Sequence, residues 1–304
     1  MAVLSIQSHV VYGYAGNTAA VFPLQRLGRE VWAINTVEFS NHTGYGAWRG
    51  KVLGAELVDD LVTGLEERGV LGGCEALLSG YLGDAQVGRA IINAVRRVRK
   101  EAPGALYCCD PVMGDLGRGF YVKPDIPDMF KYELLPLADI ITPNQFELEA
   151  LTGINTGSLD EARRAIGLIH EKGPGIILVT SYRDDKDAPV ADSIKAKGGP
   201  RISMLASDKT GLYRVSTPEL PLGTLVAGSG DLTASVFLSR YLETGDIKRS
   251  LELCTATVYG ILEASFLQRT KTDETKTAGP LELSIIRNQR ELDCPSHNFT
   301  VIDL

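Results

Sequence analysis

The sequence is poor in cysteine and histidine, and neither residue is spaced as a metal site or a disulfide framework requires. Its five cysteines form no CxxC pair and share no zinc-type spacing with the four histidines. Cys108 and Cys109 lie within ALYCCDPV, a predicted buried strand, where reduced cysteine behaves as a small apolar residue. This cysteine usage argues against a disulfide-stapled or zinc-bound domain and indicates a reducing compartment.

Segments that would direct the chain to or through a membrane are also lacking. The stretch MAVLSIQSHVV has neither a basic region nor a long apolar run, so it is predicted to be a strand rather than a signal peptide. No window approaches the run of ~18 apolar residues that a membrane span requires. We therefore expect a cytoplasmic protein with no membrane partner.

Positive charge is scarce, and several common catalytic motifs are absent. The formal net charge is −7, which argues against nucleic acid as a partner because counterion release requires a basic face. The sequence contains no GxxxxGK(S/T), no HRD and no DFG, so neither a P-loop enzyme nor a protein kinase is expected. It also contains no GxSxG, which counts against an α/β-hydrolase.

What the chain does contain is a regular alternation of short apolar runs and amphipathic segments. The predicted strands are VLSIQS, EVWAINTVEF, EALLSGY, ALYCCDPV, DIITPN and GIILVTS. One predicted helix begins after Asp84, and another begins after Ser158, which is expected to form a capping box with Glu161. This alternation predicts a single α/β domain over residues 1–304, with a mostly parallel central sheet and helices on both faces.

Polar side chains follow three of the predicted strands, and open α/β sheets bind ligands at those carboxyl ends. Carboxylate, amide and hydroxyl oxygens are the ligands that hard cations such as Mg²⁺ prefer. Each residue alone also fits a helix cap or a turn, so both interpretations stay open. The residues are Asp110 and Asp115 after one strand, Thr142, Asn144 and Glu147 after the next, and Thr180 and Ser181 at the end of the third.

The stretch TLVAGSGDLTASVF places Gly228, Ser229, Gly230 and Asp231 between two apolar runs. Glycines let the backbone approach a ligand closely, and the start of a helix offers free N–H groups and a positive dipole end to an anion. The helix field is expected to favour ionised Asp231, which could accept a proton from an attacking hydroxyl. The alternative interpretation is a helix cap after a glycine turn.

Six strings in the chain resemble, in the same order, signatures of the pyridoxal kinases of the ribokinase-like superfamily. They are SIQSHVVYGYAGN, FSNHTGYGAW, CDPVMGD, ITPNQFE, VTS and GSGD. The GxGD element is common to the superfamily, whereas the first two strings point to pyridoxal rather than to a sugar. The resemblance implies a ribokinase-like three-layer sandwich. It also implies ATP-dependent phosphorylation of the primary 5′-hydroxyl of pyridoxal and related vitamin B6 forms, giving pyridoxal 5′-phosphate.

The resemblance further implies a role for each matching residue. Asp231 would be the catalytic base, and the anion hole around the transferring phosphate would consist of Gly228, Ser229 and Gly230. Pyridoxal would contact Ser8, His42, Thr43, Tyr81 and Asp231. ATP would contact Asp115, Tyr121, Asn144, Glu147, Thr180, Ser181, Ser229 and Gly230. Mg²⁺ and a monovalent cation, K⁺ or Na⁺, would be held by Asp110, Asp115, Thr142, Glu147 and Thr180.

Within the domain, the resemblance implies a flap around residues 38–48 and ATP-side loops at 110–122 and 183–228. The chain departs from the family pattern at Ser229, where threonine is usual, and in the short segment between Asp115 and Tyr121. Relatives of this kind are commonly dimers, so a homodimer is expected. Two other functions stay open: a hydroxymethylpyrimidine kinase, whose aromatic alcohol has a similar shape, and a vitamin-binding protein without catalysis.

Overall fold

A sheet of ten strands runs through the part of the chain that the computed structural model describes, which is residues 1–184, 199–223, 225–272 and 279–304. Two further strands form a separate hairpin. In chain order the strands are β1 (Ala2–Tyr12), β2 (Glu30–Asn41), β3 (Gly50–Val52), β4 (Cys74–Ser79), β5 (Leu106–Cys109), β6 (Gly114–Asp115), β7 (Gly119–Phe120), β8 (Ile140–Ile141), β9 (Ile176–Tyr182), β10 (Arg201–Ser207), β11 (Leu212–Pro218) and β12 (Ile302–Asp303).

The strand order in the large sheet is β12-β11-β10-β9-β8-β5-β4-β1-β2-β3. The six strands from β9 to β2 run parallel, and each lies where the sequence predicts a strand. Antiparallel strands extend the sheet at both sides, with β3 beside β2 and β10, β11 and β12 beyond β9. The mostly parallel sheet is confirmed. Within the predicted loop 183–228, residues 201–207 and 212–218 form β10 and β11, so the prediction of a continuous loop is wrong there, and residues 185–198 and Thr224 lie outside the described residues.

Helices connect the parallel strands and cover the sheet. They are α1 (Asn17–Arg26), α2 (Ala55–Glu67), α3 (Ala85–Glu101), α4 (Ile126–Asp128), α5 (Gln145–Thr152), α6 (Leu159–Lys172), α7 (Ser229–Thr244), α8 (Ile247–Thr272) and α9 (Arg290–Asp293). None of the helices within the described ranges is both long and apolar enough to cross a membrane.

Two apolar cores, one on each face of the sheet, produce three layers. Successive strand residues point to opposite faces, so Leu4 and Ile6 enter one core while Val3 enters the other. The first core also contains buried residues of α2, α3, α5 and α6, and the second contains residues of α1, α7 and α8. This arrangement confirms the predicted three-layer sandwich.

Local capping explains where two of the helices begin. Oδ1 of Asp84 accepts a hydrogen bond of 2.9 Å from the N–H of Gln86, as predicted for α3. At α6, the hydroxyl of Ser158 accepts from the N–H of Glu161 at 3.4 Å. The predicted capping box is incomplete there. The Glu161 carboxylate accepts a hydrogen bond of 2.9 Å from the hydroxyl of Ser158, whereas a capping box requires it to accept from the backbone N–H of Ser158.

Candidate active site

The carboxyl ends of three neighbouring strands bring the predicted polar residues together. Asp110 follows β5, Thr142 follows β8 and Thr180 lies near the end of β9. These strands are adjacent, and the backbones of Asn144 and Thr180 form a parallel bridge that holds two of the strand ends side by side. The Thr142 hydroxyl donates a hydrogen bond of 3.0 Å to Oδ1 of Asp110. The side chains of Asp110, Thr142 and Thr180 are all buried.

The GSGD stretch forms the start of α7, and its first glycine is required by the backbone. Gly228 has a φ of 76°, in the left-handed region, and a Cβ there would lie 2.3 Å from the carbonyl oxygen of Tyr14. Ser229, Gly230 and Asp231 form the first turn of the helix, whose N–H groups have no acceptor within the helix. We call residues 228–231 the anion loop, because it offers N–H donors and a positive dipole end to an anion.

Two carboxylates meet beside the anion loop. Burial raises the pKa of Asp110 to about 8, and the negative charge of Asp231 adds to the rise, whereas the hydrogen bond from Thr142 opposes it. Burial also raises the pKa of Asp231, and hydrogen bonds from the backbone N–H groups of Gly16 and of Asp231 itself oppose that rise. The backbone N–H groups thus favour ionised Asp231, as expected, but desolvation outweighs them and the net pKa is raised.

Asn144 and Glu147 cap α5 and also hold the β6–β7 hairpin. Oδ1 of Asn144 accepts from the N–H of Glu147 at 2.9 Å, and Oε2 of Glu147 accepts from the N–H of Asn144 at 2.9 Å, which completes a capping box. Oε1 of Glu147 accepts from the N–H of Met113 at 2.8 Å. Nδ2 of Asn144 donates to the carbonyl of Gly114 at 2.8 Å and to Oδ1 of Asp115 at 3.2 Å. The helix-cap interpretation is thus confirmed for this pair.

Two cavities meet at the anion loop. The larger cavity has a volume of about 410 Å³, and the smaller cavity has a volume of about 310 Å³. The residues that line both are Asp115, Asn144, Thr180, Val226, Ser229 and Gly230. Because the wall is shared, a group bound in one cavity can approach a group bound in the other across the first turn of α7.

The smaller cavity contains every residue predicted to contact the acceptor substrate. These are Ser8, His42, Thr43, Tyr81 and Asp231. Nδ1 of His42 accepts from the N–H of Gly44 at 3.0 Å, and burial, followed by the charge of Arg118, lowers the pKa of His42. The imidazole is therefore neutral at pH 7 and acts as a cap for the short turn of the flap, Thr43–Tyr45.

The larger cavity contains most of the residues predicted for ATP, and it has an apolar wall. Ser181 lines it with a φ of 55°, a left-handed conformation that costs free energy in a non-glycine residue and often marks a functional site. Tyr121 and Glu147, also predicted for ATP, line the smaller cavity and are absent from the described lining of the larger one. Asp110, Thr142 and Gly228 line the smaller cavity as well.

Several lining residues were not predicted from the sequence. The apolar wall of the larger cavity comes from Leu220, Leu222, Val258, Tyr259 and Leu262. Phe39, Trp48, Arg118 and Leu225 were missed in the smaller cavity. In a sequence, apolar residues that line a cavity look the same as core residues, so the sequence gives no sign of this wall. Arg118 could have been noticed as a cation between two glycines within the segment from Asp115 to Tyr121.

The carboxylates fit a cation that is shared with phosphate oxygens. Oδ2 of Asp110 is buried and has no hydrogen-bond partner among the described residues, and a Cβ on Gly230 would lie 3.8 Å from it. Burial, followed by the charge of Asp110, raises the pKa of Glu147 well above its ordinary range. Within the described ranges, no three His, Cys, Asp or Glu side chains converge on one point. Mg²⁺ held by one or two carboxylates and by substrate phosphates matches such a donor set.

Comparisons with known proteins agree with this geometry. The phosphomethylpyrimidine kinase family matches residues 73–275. The pyridoxal kinase PdxY of Rubrobacter xylanophilus is 48% identical over 303 residues, which cover 98% of this chain and 96% of the relative. The pyridoxal kinase PdxY of Deinococcus radiodurans is 44% identical over 301 residues, with 98% and 94% covered.

Solved structures give the same result. The pyridoxal kinase of Leishmania donovani in complex with ADP and pyridoxamine has a TM-score of 0.85 and 29% identity, with 99% of each chain covered. The pyridoxal kinase of Entamoeba histolytica has a TM-score of 0.83 and 27% identity, with 100% of this chain and 99% of that chain covered.

Three layers, a glycine anion loop at a helix start and a carboxylate in the first helical turn define a kinase of the ribokinase-like superfamily. The sequence identities extend over nearly the whole chain, and the relatives that show them are pyridoxal kinases. The chain belongs to the pyridoxal kinase family, which confirms the resemblance found in the sequence.

Proposed function

We propose that this protein transfers the γ-phosphate of ATP to the primary 5′-hydroxyl of pyridoxal and related vitamin B6 forms. The observation that carries the proposal is the meeting of two cavities at the anion loop, with Asp231 lining only the smaller one within the described residues. The vitamin occupies the smaller cavity, and the nucleotide occupies the larger one. The products are pyridoxal 5′-phosphate and ADP.

Asp231 acts as the general base in this proposal. The substrate hydroxyl attacks the γ-phosphorus, its proton passes to the Asp231 carboxylate, and the bond to the β-phosphate oxygen breaks. A carboxylate whose pKa is raised by burial is a stronger proton acceptor than one in water. Phosphoryl transfer otherwise asks the protein for positioning and charge stabilisation, which suits a site with few reactive side chains.

The anion loop holds the transferring phosphoryl group. The backbone N–H groups of Ser229 and Gly230 lie at the positive end of the α7 dipole, and Gly228 permits the turn that exposes them. Fixed donors of this kind stabilise charge that develops in a transition state without reorganising. Serine at position 229 keeps the hydroxyl of the usual threonine, so it is compatible with this role.

The oxygen-rich strand ends are suited to two kinds of cation. Asp110, with an unpartnered Oδ2 among the described residues, and Asp115 would hold Mg²⁺ with the ATP phosphates, and Glu147 would support it from its capped position. Asp110, Thr142 and Thr180 would hold K⁺ or Na⁺. When bound, such cations neutralise negative charge on the phosphates. Titrating K⁺ at saturating Mg²⁺ and ATP should raise the rate saturably, and a flat response would remove the monovalent site.

Hydroxymethylpyrimidine kinase is the second candidate, because the matched family is named for phosphomethylpyrimidine. The test is ADP release with ATP and either alcohol as the acceptor. The proposal predicts a higher kcat/KM with pyridoxal than with hydroxymethylpyrimidine. The reverse ranking would favour the second candidate, and ADP release that neither alcohol stimulates would favour a vitamin-binding protein without catalysis.

A homodimer and a cytoplasmic location complete the proposal. Exposed apolar side chains lie near one end of the sheet, at the end of β1, on the edge strand β3 and on α2; they are Val11, Val52, Leu57 and Leu61. A second copy of the chain would cover them, and the Leu57→Glu, Leu61→Glu double variant should then sediment as a monomer. Equal sedimentation of variant and wild type would contradict this interface. The cytoplasmic location rests on the need for ATP and on cysteines that are free in the structure.

A further inference from the structure

The flap is joined to the C-terminal part of the chain by one carboxylate. Oε1 of Glu282 accepts a hydrogen bond of 2.9 Å from the hydroxyl of Tyr45, which ends the helical turn Thr43–Tyr45. Oε2 of the same carboxylate accepts a hydrogen bond of 3.0 Å from the backbone N–H of Tyr14. Glu282 thus connects the flap with the loop that precedes α1, and neither bond was foreseen from the sequence.

Close packing around these bonds shows that the contact is built for this arrangement. Gly13 has a φ of 86°, and a Cβ there would lie 2.3 Å from Oε2 of Glu282. A Cβ on Gly279 would lie 2.5 Å from the ring of Tyr45, and the ring of Tyr12 meets that ring edge-on at 6.0 Å. Glycines at these two positions therefore leave the room that the Tyr45 ring and the carboxylate occupy.

The segment that carries Glu282 also contacts the residues that directly precede the anion loop. The N–H of Leu281 donates to the carbonyl of Leu225 at 2.7 Å, and the carbonyl of Leu281 accepts from the N–H of Ala227 at 3.3 Å. Ala227 directly precedes Gly228, the first residue of the anion loop. One short segment is thus bonded on one side to the flap beside the smaller cavity and on the other side to the chain that leads into the anion loop.

We propose that Glu282 is a positioning residue: its bond to Tyr45 keeps the flap closed over the vitamin, and its segment aligns the flap with the anion loop. The inference rests on the proposed function for its kinetic readout. Pyridoxal must pass the flap to enter the smaller cavity, so the bond breaks on entry and forms again on closure. Neither Glu282 nor Tyr45 lines either cavity as described, so their effect on the reaction is exerted through the position of the flap.

A spectroscopic experiment tests the flap without turnover. Trp48 lies in the flap and is 48% exposed, and the chain has only two tryptophans, so Trp32→Phe leaves Trp48 as the sole reporter. In that background, Tyr45→Phe removes the hydroxyl and keeps the ring. We expect Tyr45→Phe and Glu282→Ala each to increase acrylamide quenching of Trp48 and to speed trypsin cleavage at Arg49 by about tenfold, the effect of losing one charge-assisted hydrogen bond.

The double variant gives the sharper result. With Glu282 replaced, the Tyr45 hydroxyl has lost its acceptor, so Tyr45→Phe should add nothing to Glu282→Ala. Tyr132→Phe and Glu133→Gln, in exposed positions on another part of the chain, are the matched controls and should leave both readouts unchanged. Additive effects of the two substitutions would overturn the proposal. If Glu282→Ala fails to fold, Tyr45→Phe decides alone, and quenching of Trp48 equal to that of the controls would overturn the proposal.

Kinetics then link the flap to the reaction. Tyr45→Phe should raise the KM for pyridoxal by about tenfold and leave the KM for ATP within about twofold, because only the vitamin lies under the flap. Equal changes in both constants would contradict a flap-specific role. If wild-type protein does not phosphorylate pyridoxal but the quenching and cleavage results hold, the proposed function fails while the Tyr45–Glu282 bond stands as the device that closes the flap.

Discussion

At the scale of single residues, Asp110 is a buried carboxylate whose ionisation is costly in the folded protein. The side chain is 3% exposed. Its Oδ1 accepts a hydrogen bond from the Thr142 hydroxyl, and its Oδ2 has no hydrogen-bond partner among the described residues. Asp231 lies close enough for its charge to raise the pKa of Asp110 further. A buried, unpaired carboxylate lowers the stability of the folded protein when no cation is bound. Such carboxylates are typical of sites whose function requires a perturbed ionisable group.

The pH dependence of stability follows from this arrangement. The pKa of Asp110 is about 8 in the folded protein and near 3.8 when unfolded, so the folded state holds the proton longer. Its contribution to stability is therefore full below about pH 4 and is lost as the pH rises through 8. In EDTA, Asp110→Asn should weaken the loss of stability between pH 5 and 8.5 and should be more stable than wild type at pH 8.5 by about 1–2 kcal/mol.

Thermal unfolding of wild type and Asp110→Asn at the two pH values measures this difference. Parallel stability curves for the two proteins would contradict the assignment of the buried charge to Asp110. The same variant should lose Mg²⁺-dependent activity, because the amide cannot replace the carboxylate as a ligand of a hard cation.

Ser8 provides a second test at the residue scale. It is buried within β1, lines the smaller cavity, and lies at a register shift of the β1–β2 pairing. A bulge beside an active site re-aims a side chain, so the hydroxyl is available to the pyridine substituents of the vitamin. Ser8→Ala should raise the KM for pyridoxal by about tenfold, the effect of leaving a polar group unpaired. If only the KM for ATP changed, the assignment of Ser8 to the vitamin would be contradicted.

The sequence predicts the polar residues of the site better than its apolar ones. Asp110, Thr142 and Asp231 stand out because they directly follow buried strands or a glycine turn, where open α/β sheets bind ligands, although each also fits a cap or a turn. Tyr259 and Leu225, which line the cavities, lie in apolar segments where a residue that contacts a ligand cannot be told from a core residue. Glu282 was missed for another reason: it is bonded to residues more than 230 positions away, and no local pattern reports such contacts.

At the scale of secondary-structure elements, the start of α5 links the nucleotide side of the site to the β6–β7 hairpin. The side chain of Asn144 caps the helix through its oxygen and holds the hairpin through its nitrogen. The same residue therefore fits both interpretations that its position in the sequence left open, the cap and the site.

Replacing Asn144 with serine separates its role as a helix cap from its role in holding the β6–β7 hairpin. Asn144→Ser keeps an oxygen that can accept from the N–H of Glu147, so the helix cap and the melting temperature should be nearly unchanged. It removes the donor to Gly114 and Asp115, so the hairpin should lose its alignment and the KM for ATP should rise by about tenfold. Asn144→Ala, which loses the cap as well, should cost about 1 kcal/mol of stability. An unchanged KM for ATP in the serine variant would limit Asn144 to capping.

Element prediction succeeds where the periodicity is strong and fails at the antiparallel side of the sheet. The helical repeat of α3 is visible in Val87, Ile91, Val95 and Val98, all of which are buried. The β10–β11 pair was not predicted, since polar and charged residues such as Arg201 and Arg214 interrupt its apolar residues. The pairing of this hairpin is decided by the neighbouring strands β9 and β12 rather than by its own composition.

At the scale of the whole molecule, the fold places two cavities side by side at one helix start. The parallel strands end at the same edge of the sheet, so the polar side chains after the strands and the anion loop lie together although they are up to about 120 residues apart in the chain. Residues of the flap line the smaller cavity, while α8 and the β10–β11 hairpin supply a wall of the larger one. This division explains why a substitution on one side should change one KM and spare the other.

Turnover of the Asp231→Asn variant tests the central claim most directly. Asparagine keeps the size of the side chain and its ability to cap a helix, but it cannot accept the proton of the substrate hydroxyl. With ATP and pyridoxal, formation of pyridoxal 5′-phosphate should fall by at least ~10² in kcat, with a melting temperature near that of wild type and ATP affinity within a few-fold. Near-wild-type turnover in a well-folded Asp231→Asn protein would contradict the account.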